Sequence, residues 1–281
     1  MEFVAEETVE ILEELGDYEG SFVLAEDGVH SGSFIFARLL LQALRTKGDD
    51  LTEIVMVSTA HSLEHYESLL RRNSLDVRLE ALAKRVTMRF LVPEGSLAGD
   101  MGVVGKEEKV RVETANAYYS CRHCEWGELH EWVHGELIGK SKTGNRRSML
   151  FVDDINLFES LAPSKEAARK LLFSILHNLK HSDLAASGVS TFIAAAPIEV
   201  FPDEAISLED GEEPTLAEVA KYHANVMITT LPLSTGYSSE VHGLVKYTAC
   251  RGGQALKENF AFKVQSANSV SFVRLQKEGD V

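Results

Sequence analysis

The sequence predicts an α/β fold in which a mostly parallel sheet is flanked by helices and ends in antiparallel hairpins. Short hydrophobic runs alternate with helix-periodic segments through residue 230, which is the order of parallel strands joined by crossover helices. After residue 242 the segments alternate in polarity and are separated by turn residues, as the strands of hairpins are. We therefore expect the final strands to extend the parallel sheet in antiparallel fashion.

The continuous apolar runs have the length of strands that are buried on both faces. In chain order these predicted strands are Ser21–Ala25, Ile54–Thr59, Met88–Val92, Ser148–Asp154, Thr191–Ala196 and Ala224–Thr230. Apolar residues at helical spacing predict helices over Ser33–Thr46, Leu63–Arg72, Ser164–Leu184 and Leu216–His223. The hairpin strands are Gly243–Cys250, Asn259–Val264 and Ser269–Leu275, split by Arg251-Gly252-Gly253 and Ala267-Asn268. The pattern predicts no clear element over Pro93–Gly139.

Residues 1–19 are predicted to form an acidic helix outside the main domain. Apolar residues recur among glutamates at roughly helical spacing up to Leu15, and Gly16 follows as a stop signal. No repeat and no convincing linker divides the remaining chain. We therefore expect residues 20–281 to form a single domain.

The net charge of −15 is concentrated in two short segments. Residues 1–27 contain ten acids and no Lys or Arg, and residues 203–213 contain six acids and no base. The remainder carries 27 acids and 28 bases. Overall acidity argues against binding nucleic acid or anionic membrane by bulk charge, but the nearly neutral remainder leaves room for a local basic contact.

Composition and cysteine usage indicate a globular protein of a reducing compartment. The chain is 44% hydrophobic and 25% charged, which excludes a wholly disordered chain. Its longest stretch without charged side chains, Tyr222–Ser239, is interrupted by polar residues and predicts no membrane span. The N-terminus lacks the pattern of a signal peptide, and three cysteines fit free thiols. We expect a cytoplasmic or nuclear location and no membrane partner.

The first predicted strand, the loop after it and the next helix have the arrangement of a phosphate-binding loop. The loop reads Gly28-Val29-His30-Ser31-Gly32-Ser33. A working P-loop follows G-x-x-x-x-G-K-[ST], in which backbone N–H groups hold phosphates and the Lys holds the transferring phosphate. Here one residue is missing between the glycines, and Ser33 rather than Lys follows Gly32. The loop is a degenerate P-loop, and we do not expect autonomous ATP hydrolysis.

Two acids close the hydrophobic run that ends at Val152. Asp153 and Asp154 occupy the position from which an acid positions Mg²⁺ in a nucleotide site. They also suit the capping of a turn that leaves a buried strand, and without a P-loop Lys this interpretation is favoured. Together with the degenerate loop, they predict a nucleotide-binding scaffold that no longer has the site.

Several stretches, taken in order, carry a resemblance to a known family. They are Gly20-Ser21-Phe22-Val23-Leu24 with Ser31-Gly32-Ser33-Phe34; Ala60-His61-Ser62-Leu63-Glu64-His65-Tyr66 with Leu69-Leu70-Arg71-Arg72; Phe151-Val152-Asp153-Asp154-Ile155-Asn156-Leu157-Phe158; Ser234-Thr235-Gly236-Tyr237 through Glu240-Val241-His242-Gly243; and Cys250-Arg251-Gly252-Gly253. With these motifs the chain resembles Elongator complex subunit 6, a RecA-like family. The resemblance covers most of Gly20–Leu275, with a gap over about Pro93–Arg147.

The resemblance implies a non-catalytic RecA-like subunit, and the family lacks the P-loop signature, as this chain does. It implies assembly with the fourth and fifth Elongator subunits into a heterohexameric ring, two copies of each, attached to the larger Elongator subunits. Elongator modifies the wobble uridine of certain tRNAs, and the ring is associated with tRNA binding and ATP-dependent tRNA release. No cofactor of the chain's own is implied, although ATP at ring interfaces is compatible with the family.

A basic cluster precedes the strand that ends in the two acids. It consists of Lys140, Lys142, Arg146 and Arg147, and no acid lies between residues 137 and 152. A loop of this charge is a candidate contact for the tRNA backbone, and an ordinary solvated loop is an equally weighted alternative. Because no aromatic side chain accompanies it, any contact would be independent of base sequence.

Arg251 is a candidate interface residue at the Gly252-Gly253 turn. An arginine at such a position can reach a neighbouring subunit's nucleotide site as an arginine finger does. An ordinary hairpin residue is the favoured alternative.

Cys121, Cys124, His130 and His134 form the pattern C-x₂-C-x₅-H-x₃-H. Both pair spacings suit tetrahedral zinc, but the pairs are much closer in sequence than in a zinc finger. We therefore favour free thiols and surface histidines, and expect no zinc.

Three classes of function remain open on the sequence. The first is the Elongator ring subunit described above. The second is a self-sufficient RecA-like NTPase with an atypical phosphate loop, and the third is a zinc-dependent interaction module centred on Cys121–His134.

Overall fold

The computed structural model describes residues 20–28, 35–36, 39–40, 43, 52–61, 65, 86–92, 108–112, 117–135, 147–181, 188–198, 213–233, 238–251, 254–266 and 269–275. Its strands are β1 Ser21–Asp27, β2 Thr52–Ser58, β3 Val86–Leu91, β4 Glu108–Val112, β5 Ala117–Cys124, β6 Arg147–Val152, β7 Gly188–Pro197, β8 Val226–Leu231, β9 Gly243–Arg251, β10 Gln254–Ser266 and β11 Ser269–Arg274. Its helices are α1 Trp126–Trp132, α2 Ile155–Ser160, α3 Lys165–His181 and α4 Leu216–His223. Helical residues also occur at positions 35–36, 39–40, 43 and 65.

The strands of the described residues form one sheet in the order β11-β10-β9-β8-β1-β7-β6-β2-β3-β5-β4. From β8 to β5 all neighbours are parallel. The last three strands continue from β8 in antiparallel fashion, and β4 pairs antiparallel with β5 at the other edge. The predicted mostly parallel sheet with C-terminal antiparallel hairpins is confirmed.

Both faces of the sheet are covered. Leu150 and Val152 of β6 point into an apolar core shared with α1, α2, α3 and α4. Between them Phe151 points to the opposite face, where its ring meets Phe36 edge-on at a centroid distance of 5.7 Å. Because successive side chains of a strand alternate in direction, β6 reads as an uninterrupted apolar run. Burial on both faces of the sheet also explains why Phe22, Val23 and Leu24, which are consecutive in β1, are all fully buried.

The helices bury one face each. In α3 the residues Leu171, Leu172, Ile175, Leu176 and Leu179 recur at helical spacing and are buried against the sheet. The α4 helix begins at a capping box, since Thr215 Oγ1 accepts from the Glu218 N–H and the Glu218 carboxylate accepts from the Thr215 N–H. In the part of the chain that the structure describes, no helix is long and apolar enough to cross a membrane.

Several elements differ from expectation. The strands β4 and β5 and the helix α1 lie in Pro93–Gly139, where no element was predicted, and α2 was not predicted either. The remaining strands and the helices α3 and α4 occur where they were predicted, within a few residues. The predicted acidic helix of residues 1–19 lies outside the described residues, as does most of the predicted helix Leu63–Arg72.

Candidate functional site

The carboxyl ends of β1, β2, β6, β7 and β8 meet at one edge of the sheet, which is where open α/β sheets bind their ligands. Backbone hydrogen bonds connect the segments that follow these strands. The Ile198 N–H after β7 donates to the Asp27 carbonyl at 3.1 Å, and the Gly28 N–H donates to the Thr230 carbonyl at 2.9 Å. We call this region the carboxyl edge.

The first glycine of the degenerate P-loop lies at the carboxyl edge. In a working P-loop the backbone N–H groups after the first strand point at phosphate. Here the Gly28 N–H is already bonded to the carbonyl of Thr230 on β8. The other loop residues of the prediction, Ser31, Gly32 and Ser33, lie outside the described residues.

Asp153 is fully buried at the end of β6, and donors from the end of β2 surround its carboxylate. Its Oδ2 accepts from Ser58 Oγ at 2.6 Å, and its Oδ1 accepts from the N–H and Oγ1 of Thr59 at 2.7 and 2.9 Å. The Ala60 N–H lies 3.2 and 3.3 Å from the two oxygens. Internal donors thus occupy both oxygens, and the carboxylate fastens β6 to β2 rather than facing an open site.

Asp154 is the N-cap of α2. Its Oδ1 accepts from the backbone N–H groups of Asn156 and Leu157 at 2.8 and 3.0 Å. Burial raises the pKa of the Asp154 carboxyl above 3.8, and the charge of Asp153 adds to this, while the two backbone hydrogen bonds and His61 act in the opposite direction. The structure therefore gives Asp154 the capping geometry that was favoured on the sequence.

The end of β1 carries two more acids, each held by a threonine of β8. Thr229 Oγ1 donates to Glu26 Oε2 at 2.8 Å, and Thr230 Oγ1 donates to Asp27 Oδ1 at 2.7 Å. Lys221 Nζ of α4 lies 2.7 Å from Glu26 Oε1, an ion pair that lacks the alignment of a hydrogen bond. Negative side chains thus lie beside the degenerate loop, which is unfavourable for a nucleotide's phosphates.

The described candidates for tRNA and interface contact lie at the opposite edge of the sheet. Arg147 begins β6 and pairs with Thr52 and Gly188 at the amino ends of β2 and β7. Arg251 ends β9, which runs antiparallel to β8, and so it lies at the same amino edge. Arg251 also pairs with Gln254 across the predicted Gly252-Gly253 turn. Lys140, Lys142 and Arg146 lie outside the described residues.

The three described side chains of the C-x₂-C-x₅-H-x₃-H pattern lie in two environments. Cys124 is 2% exposed and faces the apolar core together with Leu129 and Val133. His130 is exposed and His134 is half-buried, and their rings lie 4.4 Å apart. Desolvation lowers the pKa of His134, and the charge of His130 lowers it further. The side chain of Cys121 is not among the described ones.

Elsewhere in the described ranges His61 and His65 also form a histidine pair, with ring centroids 4.1 Å apart. Among the described residues no group of three or more His, Cys, Asp or Glu side chains is placed to hold a metal ion. The pair of His130 and His134 is therefore the part of the C-x₂-C-x₅-H-x₃-H pattern that the structure brings together.

Some residues that link the strands, at the amino ends of β1 and β8 and at the carboxyl edge, were not singled out from the sequence. Asn225 Oδ1 accepts from the Phe22 N–H at 2.8 Å, while the Asn225 N–H donates to the Phe22 carbonyl and its own carbonyl accepts from Cys250. From the sequence, Ser58 and Thr59 were predicted only as the end of a strand. Two hydroxyl residues directly after an apolar run are too common in sequences to identify Asp153 as their hydrogen-bond partner.

Comparisons with known proteins identify the family of the chain and a similar fold. A family model described as Elongation complex protein 6 matches residues 10–266. The fold is similar to that of a KaiC-like protein from the hyperthermophilic archaeon Pyrococcus horikoshii OT3, with a TM-score of 0.52 and 11% sequence identity over 91% of this chain and 90% of that chain. This likeness concerns the fold alone. A search of curated proteins found no match. The chain belongs to the Elongation complex protein 6 family, the family of the sixth Elongator subunit, and has a RecA-like fold with a degenerate P-loop.

Proposed function

We propose that this chain is a non-catalytic subunit of the Elongator accessory ring. In this proposal it joins the fourth and fifth subunits, two copies of each, and the ring attaches to the larger Elongator subunits. The ring supports wobble-uridine modification by binding and releasing tRNA in the cytoplasm or nucleus. Family membership supports the Elongator assignment, and the saturated carboxylate of Asp153 is the observation that supports a non-catalytic role.

The chemistry of the carboxyl edge argues against autonomous phosphoryl transfer. Catalysis of that step relies on cationic groups and Mg²⁺ aligned on the γ-phosphate. In this chain the Lys of the P-loop is missing, and the carboxylate at the acid position is bonded to Ser58, Thr59 and Ala60. Freeing Asp153 to position a metal ion would leave buried donors without partners, which is costly. ATP at an interface with another subunit remains compatible with this geometry.

The basic cluster is the proposed tRNA contact. Arg147 stands at the amino end of β6 and Asp153 follows its carboxyl end. Six residues at a strand rise of about 3.3 Å place them roughly 20 Å apart. An RNA backbone bound at Lys140–Arg147 would therefore not need the degenerate loop, so loss of nucleotide chemistry and retention of RNA binding are physically compatible.

Steady-state ATP turnover by the isolated chain separates this proposal from the NTPase alternative. We expect no turnover above a buffer blank. The alternative predicts turnover that disappears in Asp153→Ala, so measurable hydrolysis that is sensitive to this substitution would overturn the non-catalytic assignment.

Fluorescence anisotropy with labelled tRNA tests the RNA contact in the co-expressed ring. Exchanging Lys140, Lys142 and Arg146 for Glu should weaken binding of different tRNAs to a similar degree and reduce its salt dependence. A matched control exchanges Lys170, Lys246 and Lys257, which are exposed on α3, β9 and β10. Equal losses for both sets would show a general effect of charge and contradict a contact at residues 140–147.

A further inference from the structure

The end of α1 and the π-helical turn after it carry the sequence His130-Glu131-Trp132-Val133-His134, with two histidines four residues apart. On a helix this spacing places both imidazoles on one face, which is how paired histidines bind zinc in H-E-x-x-H helices. We propose that His130 and His134 together form a binding site for a divalent transition-metal ion such as Zn²⁺, independent of the cysteines and of the carboxyl edge.

The geometry of the two rings suits chelation. Their centroids are 4.4 Å apart and their planes are inclined by 47°. Two nitrogens that each lie about 2.0–2.1 Å from a tetrahedral metal ion are roughly 3.3 Å from one another. The proposal requires side-chain rotations that bring one nitrogen of each ring to this separation.

The surrounding packing holds the pair in place. Trp126, Leu129 and Val133, which neighbour the histidines along this segment, are buried in the core. Trp132 is covered by the Arg89 guanidinium, whose carbon lies 4.8 Å from the ring centroid. Because the segment is anchored on its inner side, binding a metal would cost little ordering of the backbone, which favours affinity.

The ligand set consists of the two histidines. Cys124 is directed into the apolar core, and in the described part of the chain no third His, Cys, Asp or Glu completes a group. Glu131 is exposed and follows His130 by one residue, which places it about 100° around the helix. Two coordination positions of a tetrahedral ion would thus be open to water or to a ligand from a bound partner.

Isothermal titration of the full chain with Zn²⁺ alone, in a buffer that does not chelate metals, tests the site. We expect one ion per chain and an affinity at least tenfold weaker in either His130→Ala or His134→Ala. His177→Ala, an exposed histidine on α3, and Glu131→Gln should bind as the wild type does. His130→Gln and His134→Gln replace the alanine variants if those fail to fold. Far-UV circular dichroism checks that every variant is folded.

Zinc binding that both histidine variants retain would overturn the proposal, as would the absence of binding by the wild-type chain. If Glu131→Gln lost as much zinc affinity as the histidine variants, a ligand set of two histidines would be contradicted. A zinc-dependent rise in the melting temperature gives an independent readout, because an ion that binds only the folded chain stabilises it. This rise should disappear in His134→Ala and persist in His177→Ala.

Discussion

Ser58 Oγ and Asp153 Oδ2 are 2.6 Å apart and form a buried hydrogen bond between the ends of the neighbouring strands β2 and β6. The contact gives Asp153, the acid that the sequence predicted at a degenerate nucleotide site, a structural role. Hydrogen bonds to a charged acceptor are stronger than neutral ones, and several donors converge on this carboxylate. The same carboxylate therefore accounts for local stability and for the expected lack of phosphoryl-transfer chemistry.

Asp153→Asn should destabilise the fold. One carboxylate oxygen would become an NH₂ group that faces donors, and a buried hydrogen-bonded network would be left partly unsatisfied. We expect the free energy of unfolding to fall by about 2–4 kcal/mol in urea denaturation. Asp154→Asn is the matched control, since Asn also caps helices well and should cost less than ~1 kcal/mol. Equal stabilities of Asp153→Asn and the wild type would contradict the network.

The raised pKa of Asp154 predicts a specific pH dependence. An acid whose pKa is higher in the folded chain binds a proton more readily there than in the unfolded chain. Its contribution to stability is thus present at low pH and is lost as the pH rises from about 3.8 through the folded-state pKa. The wild type should lose stability relative to Asp154→Asn over this window, as measured by thermal unfolding at closely spaced pH values. If the stability of the wild type relative to Asp154→Asn stayed constant or increased as the pH rises, the assigned direction of the pKa shift would be contradicted.

Gly243 begins β9 at a position where a side chain has no room. A Cβ atom there would lie 2.7 Å from the Leu231 carbonyl oxygen and 2.5 Å from Phe262 Cε1. Because the carbonyl belongs to the paired strand β8, the strands would have to shift, and Gly243→Ala should cost about 1–3 kcal/mol in unfolding free energy. Gly127 on α1 has no atom within 4 Å of such a Cβ. Gly127→Ala should therefore be neutral or stabilising by up to ~1 kcal/mol, and similar losses in both variants would refute the steric explanation.

The elements that the sequence predicted are those in which one local pattern decides the structure. The continuous apolar run of β6 and the helical spacing of apolar residues in α3 are unambiguous. In each element these apolar residues are the ones that the fold buries. The hairpin between β9 and β10 was predicted because Gly252-Gly253 permits a two-residue turn. The helix α2 has only six residues and depends on packing of Phe158 against Trp126, a contact between distant segments that no local pattern reveals.

The candidate site was less accessible from the sequence because its contacts join distant segments. Ser58 and Asp153 are 95 residues apart, and Glu26 and Thr229 are 203 residues apart. Strand β4 was not predicted because it is short, has only two apolar residues and lies at the sheet edge. The burial of Cys124 was also not evident from the sequence, because the orientation of this side chain depends on how β5 packs against the helices.

Native mass spectrometry of the chain co-expressed with the fourth and fifth Elongator subunits tests the central claim most directly. If the chain is a ring subunit, the dominant assembly should contain six chains, two of each kind, and omitting this chain should abolish that species. A chain that remains monomeric, or that co-purifies with neither subunit, would contradict the account.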